Sequence, residues 1–375
     1  MNYNDPIDIN AVNTAVKKHG KTLDAIDRLG ADEVLKHATG YGNITDSYTF
    51  TKAILKKVSS KYTGTFKGQQ HNGEFVPRTL TVHPVVMEIL DEPERYRRTY
   101  ITEVRGAIEI AKHPFELWLI QEILKQGSND LLGVLFTAKY SSAAADTDIK
   151  DSFDGWGAIV EDERTAGNIT IGKNNVFVTG TLTRANIGEK LLDLWRSRNQ
   201  LFRRLDSKMF ISDDLGDMYD DWFADEHPGI HDVGKTADET KQQFLYGSKG
   251  KCELVRVPDL PENSQFVLLT IKENMVYGYD KPSDMRTIKA VPDDYLFKAL
   301  GKYVFGTQFA YIGEELFCVN EADVDPTSTW TYTSVTPVAG DNPSEKGWYT
   351  KDQSNVYSLT TDTTAQQGTT YYKRS

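Results

Sequence analysis

Tyr62-Thr63-Gly64-Thr65-Phe66, then Lys67-Gly68-Gln69-Gln70-His71-Asn72-Gly73, then the segment from Phe75 to Val86: this stretch decides how the chain is read. Its flanks are rich in β-branched and aromatic residues, and Asn72-Gly73 supplies the positive φ that a tight hairpin turn needs. Arg78-Thr79-Leu80-Thr81-Val82-His83 alternates polar and apolar side chains. The pattern predicts a long, polar-tipped hairpin over residues 59–93. Two strands on their own are marginal in water, so such an arm needs a surface to lie on.

Upstream, Ala11 to Lys18 and Thr22 to Ala38 carry apolar residues at helical intervals (Leu23, Ile26, Leu29, Val34, Leu35), broken by Gly20, Gly30 and Gly40. Residues 1–58 therefore read as an N-terminal helical arm, with 50–58 as a further short helix. Downstream, Pro114 suits a first helical turn, and the spacing predicts a helix from His113 to Gln126. Its apolar set, Phe115, Leu117, Trp118, Leu119, Ile120, Ile123 and Leu124, wraps more than half the circumference, which predicts a helix covered on most sides. Gly127-Ser128-Asn129 has the chemistry of a C-terminal cap.

Beyond it, Phe153 to Val160 reads as a short helix or turn. Ile169 and Ile171 predict a strand, turning at Gly172 to Asn175 into a second strand ending near Val178. Residues 186–205 predict a helix, and Met209-Phe210-Ile211 a short buried strand. Ser212 is placed to cap a helix whose first turn holds Asp213 and Asp214, where acids complement the helix dipole. Five strand-like runs follow: Cys252 to Val257, Phe266 to Ile271, Met275 to Tyr279, Tyr303 to Ile312 and Leu316 to Val319. The body is α+β. After Val324 the composition turns to Thr, Ser and Tyr, and 325–375 reads as an appended β module of three or four strands. Tyr332 to Thr350 and Tyr357 to Lys373 share a loose repeated pattern.

The 375 residues carry 43 Lys and Arg against 54 Asp and Glu, a net charge of −11. That balance argues against gripping nucleic acid over a broad face, where phosphate neutralisation supplies most of the affinity. No apolar run approaches the ~20 residues of a membrane helix, and Met1 to Pro6 lacks the basic and apolar segments of a secretion signal. Cys252 and Cys318 stand far apart, without histidines at ligand spacing, so neither a zinc site nor a disulfide framework is expected.

Candidate chemistry is thin. His227 and His231 flank Pro228-Gly229, which prevents the helix that would bring both rings to one metal. The acidic run Asp213, Asp214, Asp217, Asp220 and Asp221 lacks the spacing of a calcium loop and reads as a solvated helix face. Gly247-Ser248-Lys249-Gly250-Lys251 reads as a mobile basic loop. Arg95, Arg97 and Arg98, with Arg203 and Arg204, are short basic clusters. There is no phosphate loop, nucleophile elbow or dinucleotide fingerprint, and no cofactor is expected. The long arm, the apolar helix and the appended module describe a protein that works through surfaces.

The order of these elements resembles the major capsid protein of tailed bacteriophages, the Hong Kong 97 phage fold, over about residues 60–320. Residues 60–92 look like its E-loop, and 113–126, His-Pro-Phe-Glu-Leu-Trp-Leu-Ile-Gln-Glu-Ile-Leu-Lys-Gln, look like its spine helix. Leu205 to Ser212, Glu226-His227-Pro228-Gly229, Val257 to Pro261 and Lys272 to Gly278 look like its axial domain. These phrases are similar to capsid proteins of phages infecting gut Bacteroidales, crAss-like ones included. The resemblance implies a helical arm at 1–58, an E-loop at 59–93, a peripheral domain at 94–185, an axial domain at 186–324 and a β module at 325–375. It implies assembly contacts through Phe66, Lys67, Gln70, Asn72, Gly73 and Phe75 of the E-loop and through Phe115, Trp118 and Glu122 of the spine helix. It further implies identical subunits as partners in hexamers and pentamers, with portal, scaffolding or decoration proteins beside them. Packaged double-stranded DNA would be touched non-specifically, inside a virion assembled in the bacterial host cytoplasm, with no membrane and no catalysis. Other readings are a tail-tube or minor head protein, an encapsulin-like cage and, more distantly, a hydrolase using a carboxylate pair such as Asp220 and Glu226, which would stand at roughly 5–9 Å.

Overall fold

A computed structural model of the chain describes residues 32–55, 73–91, 115–143, 148–227, 243–281, 288–293 and 296–322. Further on it describes 332–337, 341–343, 348–351, 357–360, 362, 364, 366 and 369–374. The helices are α1 (Asp32–Leu35), α2 (Phe115–Leu132), α3 (Trp156–Thr165), α4 (Ile187–Arg196) and α5 (Asp213–Glu226). The first five strands are β1 (Thr39–Tyr41), β2 (Ser47–Leu55), β3 (Gly73–Thr81), β4 (His83–Asp91) and β5 (Val176–Val178). They are followed by β6 (Ser207–Ser212), β7 (Cys252–Val257), β8 (Val267–Ile271), β9 (Met275–Tyr279), β10 (Ile288–Asp293), β11 (Leu296–Phe309) and β12 (Phe317–Glu321). The last four are β13 (Tyr332–Val335), β14 (Tyr349–Lys351), β15 (Tyr357–Leu359) and β16 (Tyr371–Arg374).

A five-stranded sheet in the order β5-β12-β8-β6-β7 forms the heart of the body. Met209, Phe210 and Ile211 are all fully buried, yet they belong to two different cores. Met209 and Ile211 pack with Leu191, Leu194, Leu215 and Tyr219 of α4 and α5. Phe210 packs on the other face with Phe136, Trp156 and Phe266. The same alternation sends Val267 and Leu269 to the first core and Leu268 to the second. A strand covered on both faces reads as a continuous apolar run because each side of the pleat is dry. The Ser212 hydroxyl accepts the Leu215 N–H at 3.3 Å and caps α5, as its position in the sequence predicts.

The other five-stranded sheet is organised by β11. Its first part pairs with β10 and its last part with β9 along one edge, while β4 runs the length of the opposite edge from Phe297↔Asp91 to Phe305↔His83. β1 extends this sheet beside β9 in parallel. Helix α2 crosses close to β4. A Cβ built on Gly127 would stand 2.6 Å from Met87 Sδ, so the two elements touch at this glycine.

Several expectations need correction. Residues 47–55 form strand β2, where the sequence suggested a helix from 50, because a nine-residue ladder with β3 outweighs local helical spacing. The hairpin is therefore built from 47–55 and 73–81, with Leu55 opposite Gly73; the expected arm at Tyr62 to Phe66 and the Asn72 half of the turn lie outside the described residues. The helix predicted to stop at Gln126 runs on to Leu132, since Gly127 serves close packing rather than capping. It buries one stripe, Leu119, Ile120, Ile123, Leu124 and Leu131, and leaves Glu122, Lys125, Gln126, Asn129 and Asp130 exposed, so among its described side chains it is one-faced. Ile171 opens a 3₁₀ turn instead of a strand. The helix expected over 186–205 is Ile187–Arg196 followed by a separate turn at Phe202–Arg204, which the Asn199 side chain caps by accepting the Phe202 N–H at 2.7 Å. The Gly247–Lys251 segment is a fixed turn: Gly247, Lys249 and Gly250 hold positive φ, and Leu245 N–H bonds Cys252 O at 2.9 Å.

At the C-terminal end, β13-β16-β14-β15 form a four-stranded antiparallel sheet. Its order follows the internal repeat. Each repeat contributes one outer strand (β13 or β15) and one inner strand (β14 or β16), and each outer strand pairs with the other repeat's inner one. Tyr349 of this sheet is 2% exposed and belongs to the core cluster of the body, with Tyr372 packed alongside. No helix among the described residues is long and apolar enough to cross a membrane.

Candidate assembly surface

Among the described residues, the arm made by β2 and β3 is a two-stranded sheet paired to no other strand. Nine residue pairs, from Ser47↔Thr81 to Leu55↔Gly73, make a ribbon about 30 Å long at ~3.3 Å per residue. Its root is tied down. Val82 N–H bonds Asp46 O at 2.9 Å, closing the base of the ribbon. Ile44, Leu80 and Val82 form a small buried cluster under Tyr41, Phe50 and Val304. Tyr41, Tyr48 and Phe50 contact one another ring to ring.

Arg78 is the principal polar tie. Its Nε donates to Phe309 O at 2.9 Å, and its Nη2 reaches Glu163 Oε1 at 2.8 Å and Gln308 Oε1 at 2.9 Å. Gln308 Nε2 in turn donates to Thr79 O at 2.9 Å. The guanidinium thus fastens β3 to α3 and to the end of β11. A cavity of about 400 Å³ remains between Tyr48–Thr51 of the arm and Ile271, Glu273, Asn274, Ala310 and Leu316 of the body. Where the arm meets the sheet, His83 stacks on Tyr140 at 3.7 Å, and burial holds its imidazole below the usual pKa.

The arm and α2 differ in charge. Between Thr51 and Glu74 the sequence holds Lys52, Lys56, Lys57, Lys61 and Lys67 and no acid. The exposed side of α2 holds Glu122 and Asp130 against Lys125.

Of the contact residues expected from the sequence, Phe66, Lys67, Gln70 and Asn72 lie outside the described residues. Gly73 opens β3, and Phe75 sits opposite Ala53. Phe115 begins α2, Trp118 is half-buried and Glu122 is exposed. The sequence reading missed Arg78 and the whole of β2. The alternation Tyr48-Thr49-Phe50-Thr51 carried the signal for the strand.

The other candidates resolve into structural roles. Asp220 and Asp217 both pair with Arg256, and Arg184 bridges Asp221 and Asp225 at 3.2 and 2.9 Å, so two arginines are shared among four acids of α5. Asp220 is thereby held in an ion pair with Arg256. His227 stacks on Phe223 at 4.7 Å and touches Tyr246 at 4.4 Å, while His231 lies outside the described residues. Arg203 lies over the Trp195 ring at 5.9 Å; Arg95, Arg97 and Arg98 are outside the described residues. Burial pushes the Cys252 and Cys318 thiols up to about 12 and about 11. Among the described residues no group of three His, Cys, Asp or Glu is placed to hold a metal ion.

No protein-family model and no curated protein matches the chain. Among solved structures it is similar to one from the satellite phage P4 procapsid including size determination (Sid) protein, at 14% identity and a TM-score of 0.49 over 80% of this chain and 98% of that one. It is similar to one from the Cyanophage Pam1 capsid asymmetric unit, at 13% identity and a TM-score of 0.42 over 76% of this chain and 87% of that one. It is also similar to one from a virus-like particle of Pyrococcus furiosus, at 9% identity and a TM-score of 0.37 over 80% of this chain and 98% of that one.

Proposed function

We propose that the chain is a shell-forming structural subunit, the major capsid protein of a tailed phage or prophage. In this reading copies assemble into hexamers and pentamers of an icosahedral shell around double-stranded DNA. The single observation that carries it is the arm. A ribbon of two strands about 30 Å long, anchored at its root by Arg78 and joined to no third strand among the described residues, gains burial for its outer part from another molecule. The exposed, acid-bearing side of α2 in a neighbouring copy is a floor of matching charge for a segment with five lysines and no acid. The sequence resemblance described above supports the same assignment, including its closeness to capsids of Bacteroidales phages. Each contact need not be strong, because a subunit bound to several neighbours gains by multivalency. A net charge of −11 suits a container whose contents must be packed and released.

The test exploits the register. Since Leu55 stands opposite Gly73, residues 56–72 can be replaced by Asn-Gly, which closes β2 onto β3 without disturbing the ladder. The parent chain is expected to form capsomers or shells by electron microscopy, and the variant to remain a folded monomer. Normal shells from the variant, or a parent that stays monomeric at every concentration tried, would overturn the proposal.

A further inference from the structure

Residues 32–46 run as a strap from β7 to the root of the arm. α1 packs on β7, and Val34, Leu35 and Ala38 are buried in the core of the body. β1 follows beside β9, and the Val82 N–H closes on Asp46 O where the strap becomes the arm. Between the two lies His37, 9% exposed, with its Nδ1 3.8 Å from Glu253 Oε2. That carboxylate is already engaged. The register of β6 on β7 sets Lys208 opposite Glu253, and the Lys208 ammonium bonds the same oxygen. Among the described residues, the charged groups acting on His37 are Glu253 of β7, Lys208 of β6, Lys272 just before β9 and the adjacent Lys36. One acid thus stands against three lysines, and a proton on the ring would add a buried cation to a positive surrounding. Burial first, and the lysines after it, hold the docked imidazole down to about 4 against the pull of Glu253.

We infer that His37 is a pH-sensitive latch, whose protonation in mild acid releases the strap from β7 and loosens the root of the arm into which the strap runs. The docked strap excludes a proton that the released strap, with an ordinary imidazole near 6.5, accepts. Docking is therefore complete above that value, weakens as pH falls from there towards 4, and takes no further penalty from His37 below it. Burial acts on Glu253 too, but it is outweighed by the Lys208 hydrogen bond and by the charges of His37 and Lys208. The carboxyl is held below its ordinary value and keeps its charge across the upper part of this window. The bearing of the latch on assembly rests on the arm reading above, whereas the latch itself is a property of a single chain.

Amide hydrogen exchange of the full-length chain tests this. The His37 and Ala38 N–H groups bond Val34 O and Leu35 O at 3.0 Å. Their protection, corrected for the intrinsic pH dependence of exchange, reports release of the strap. Between about pH 7.5 and pH 5 it should fall about 30-fold, the ratio that an imidazole near 6.5 when released and about 4 when docked sets by linkage. Protection of the Val82 N–H should fall with it. His37→Gln cannot take up the proton and should keep its protection to within about twofold over the same range. Lys208→Gln removes one of the lysines and leaves Glu253 to the ring, so the fall should shrink several-fold. An equal fall in parent and His37→Gln, no fall in the parent, or a fall in Lys208→Gln as steep as the parent's overturns the latch. A fall at His37 and Ala38 that leaves Val82 unmoved overturns its coupling to the arm. Exchange is read on the chain whether or not it assembles. A flat profile therefore refutes the latch alone, and a responsive chain that forms no shells by electron microscopy refutes the capsid assignment alone.

Discussion

Asp259→Asn is the most informative single change in the body. Asp259 sits in Val257-Pro258-Asp259-Leu260-Pro261 and joins that loop to the segment just after α2: its Oδ2 accepts the Phe136 N–H at 2.5 Å. Its Oδ1 is buried with no hydrogen-bond partner among the described residues. Burial pushes this carboxyl up from 3.8 to about 7, against the pull of the backbone N–H groups of Phe136 and Thr137. A raised folded-state value means the fold favours the neutral acid. That stabilisation is complete below the unfolded value near 4 and is lost as pH rises through 7, amounting to roughly 4 kcal/mol across the window. Asparagine keeps an acceptor for Phe136 and can never ionise. Urea unfolding at pH 4 and pH 8 should therefore show the parent losing roughly 3 to 4 kcal/mol relative to the variant, a midpoint change of about 1 M for a slope near 3 kcal/mol/M. If parent and variant keep a constant difference from pH 4 to pH 8, the buried-acid account of this joint is wrong.

Arg78→Ala should leave the body folded but free the arm root, because Glu163 loses its cation and Phe309 O its donor. Amide exchange across 76–81 should rise and shell yield should fall, whereas unchanged protection there would remove Arg78 from its anchoring role. Arg164→Ala strands Glu321 in a pair whose side chains are 7% and 3% exposed, and should cost about 3–5 kcal/mol by urea titration. Cys252 and Cys318 should stay unmodified by a maleimide at pH 8 until the chain is unfolded, since both thiols are buried and held neutral. Labelling of the native protein would contradict the packing of β7 and β12.

The centre of the five-stranded sheet β5-β12-β8-β6-β7 was legible because β6 and β8 are dry on both faces. Met209-Phe210-Ile211 and Phe266 to Ile271 announce themselves as short apolar runs between turn residues. Ser212 as a cap was legible too, since capping is settled by the nearest three residues. Gly127 misled for the opposite reason. A glycine after an apolar helix has the chemistry of a cap, and only the arrival of Met87 from a strand forty residues earlier turns it into a packing site. β2 misled likewise, because its partner β3 lies beyond a long intervening segment and local spacing carries no record of pairing.

The candidate surface divides along the same line. That β3 belongs to an arm and that the outer stretch of the arm is basic are matters of residue order and charge, which a chain carries in any conformation. Where the arm is rooted was decided by folding, which brought Arg78 to Glu163 and Phe309 across separations no pattern encodes. The latch at His37 also exists only once β6 and β7 bring Lys208 and Glu253 beside it, for a site belongs to neighbours in space and not to neighbours in sequence.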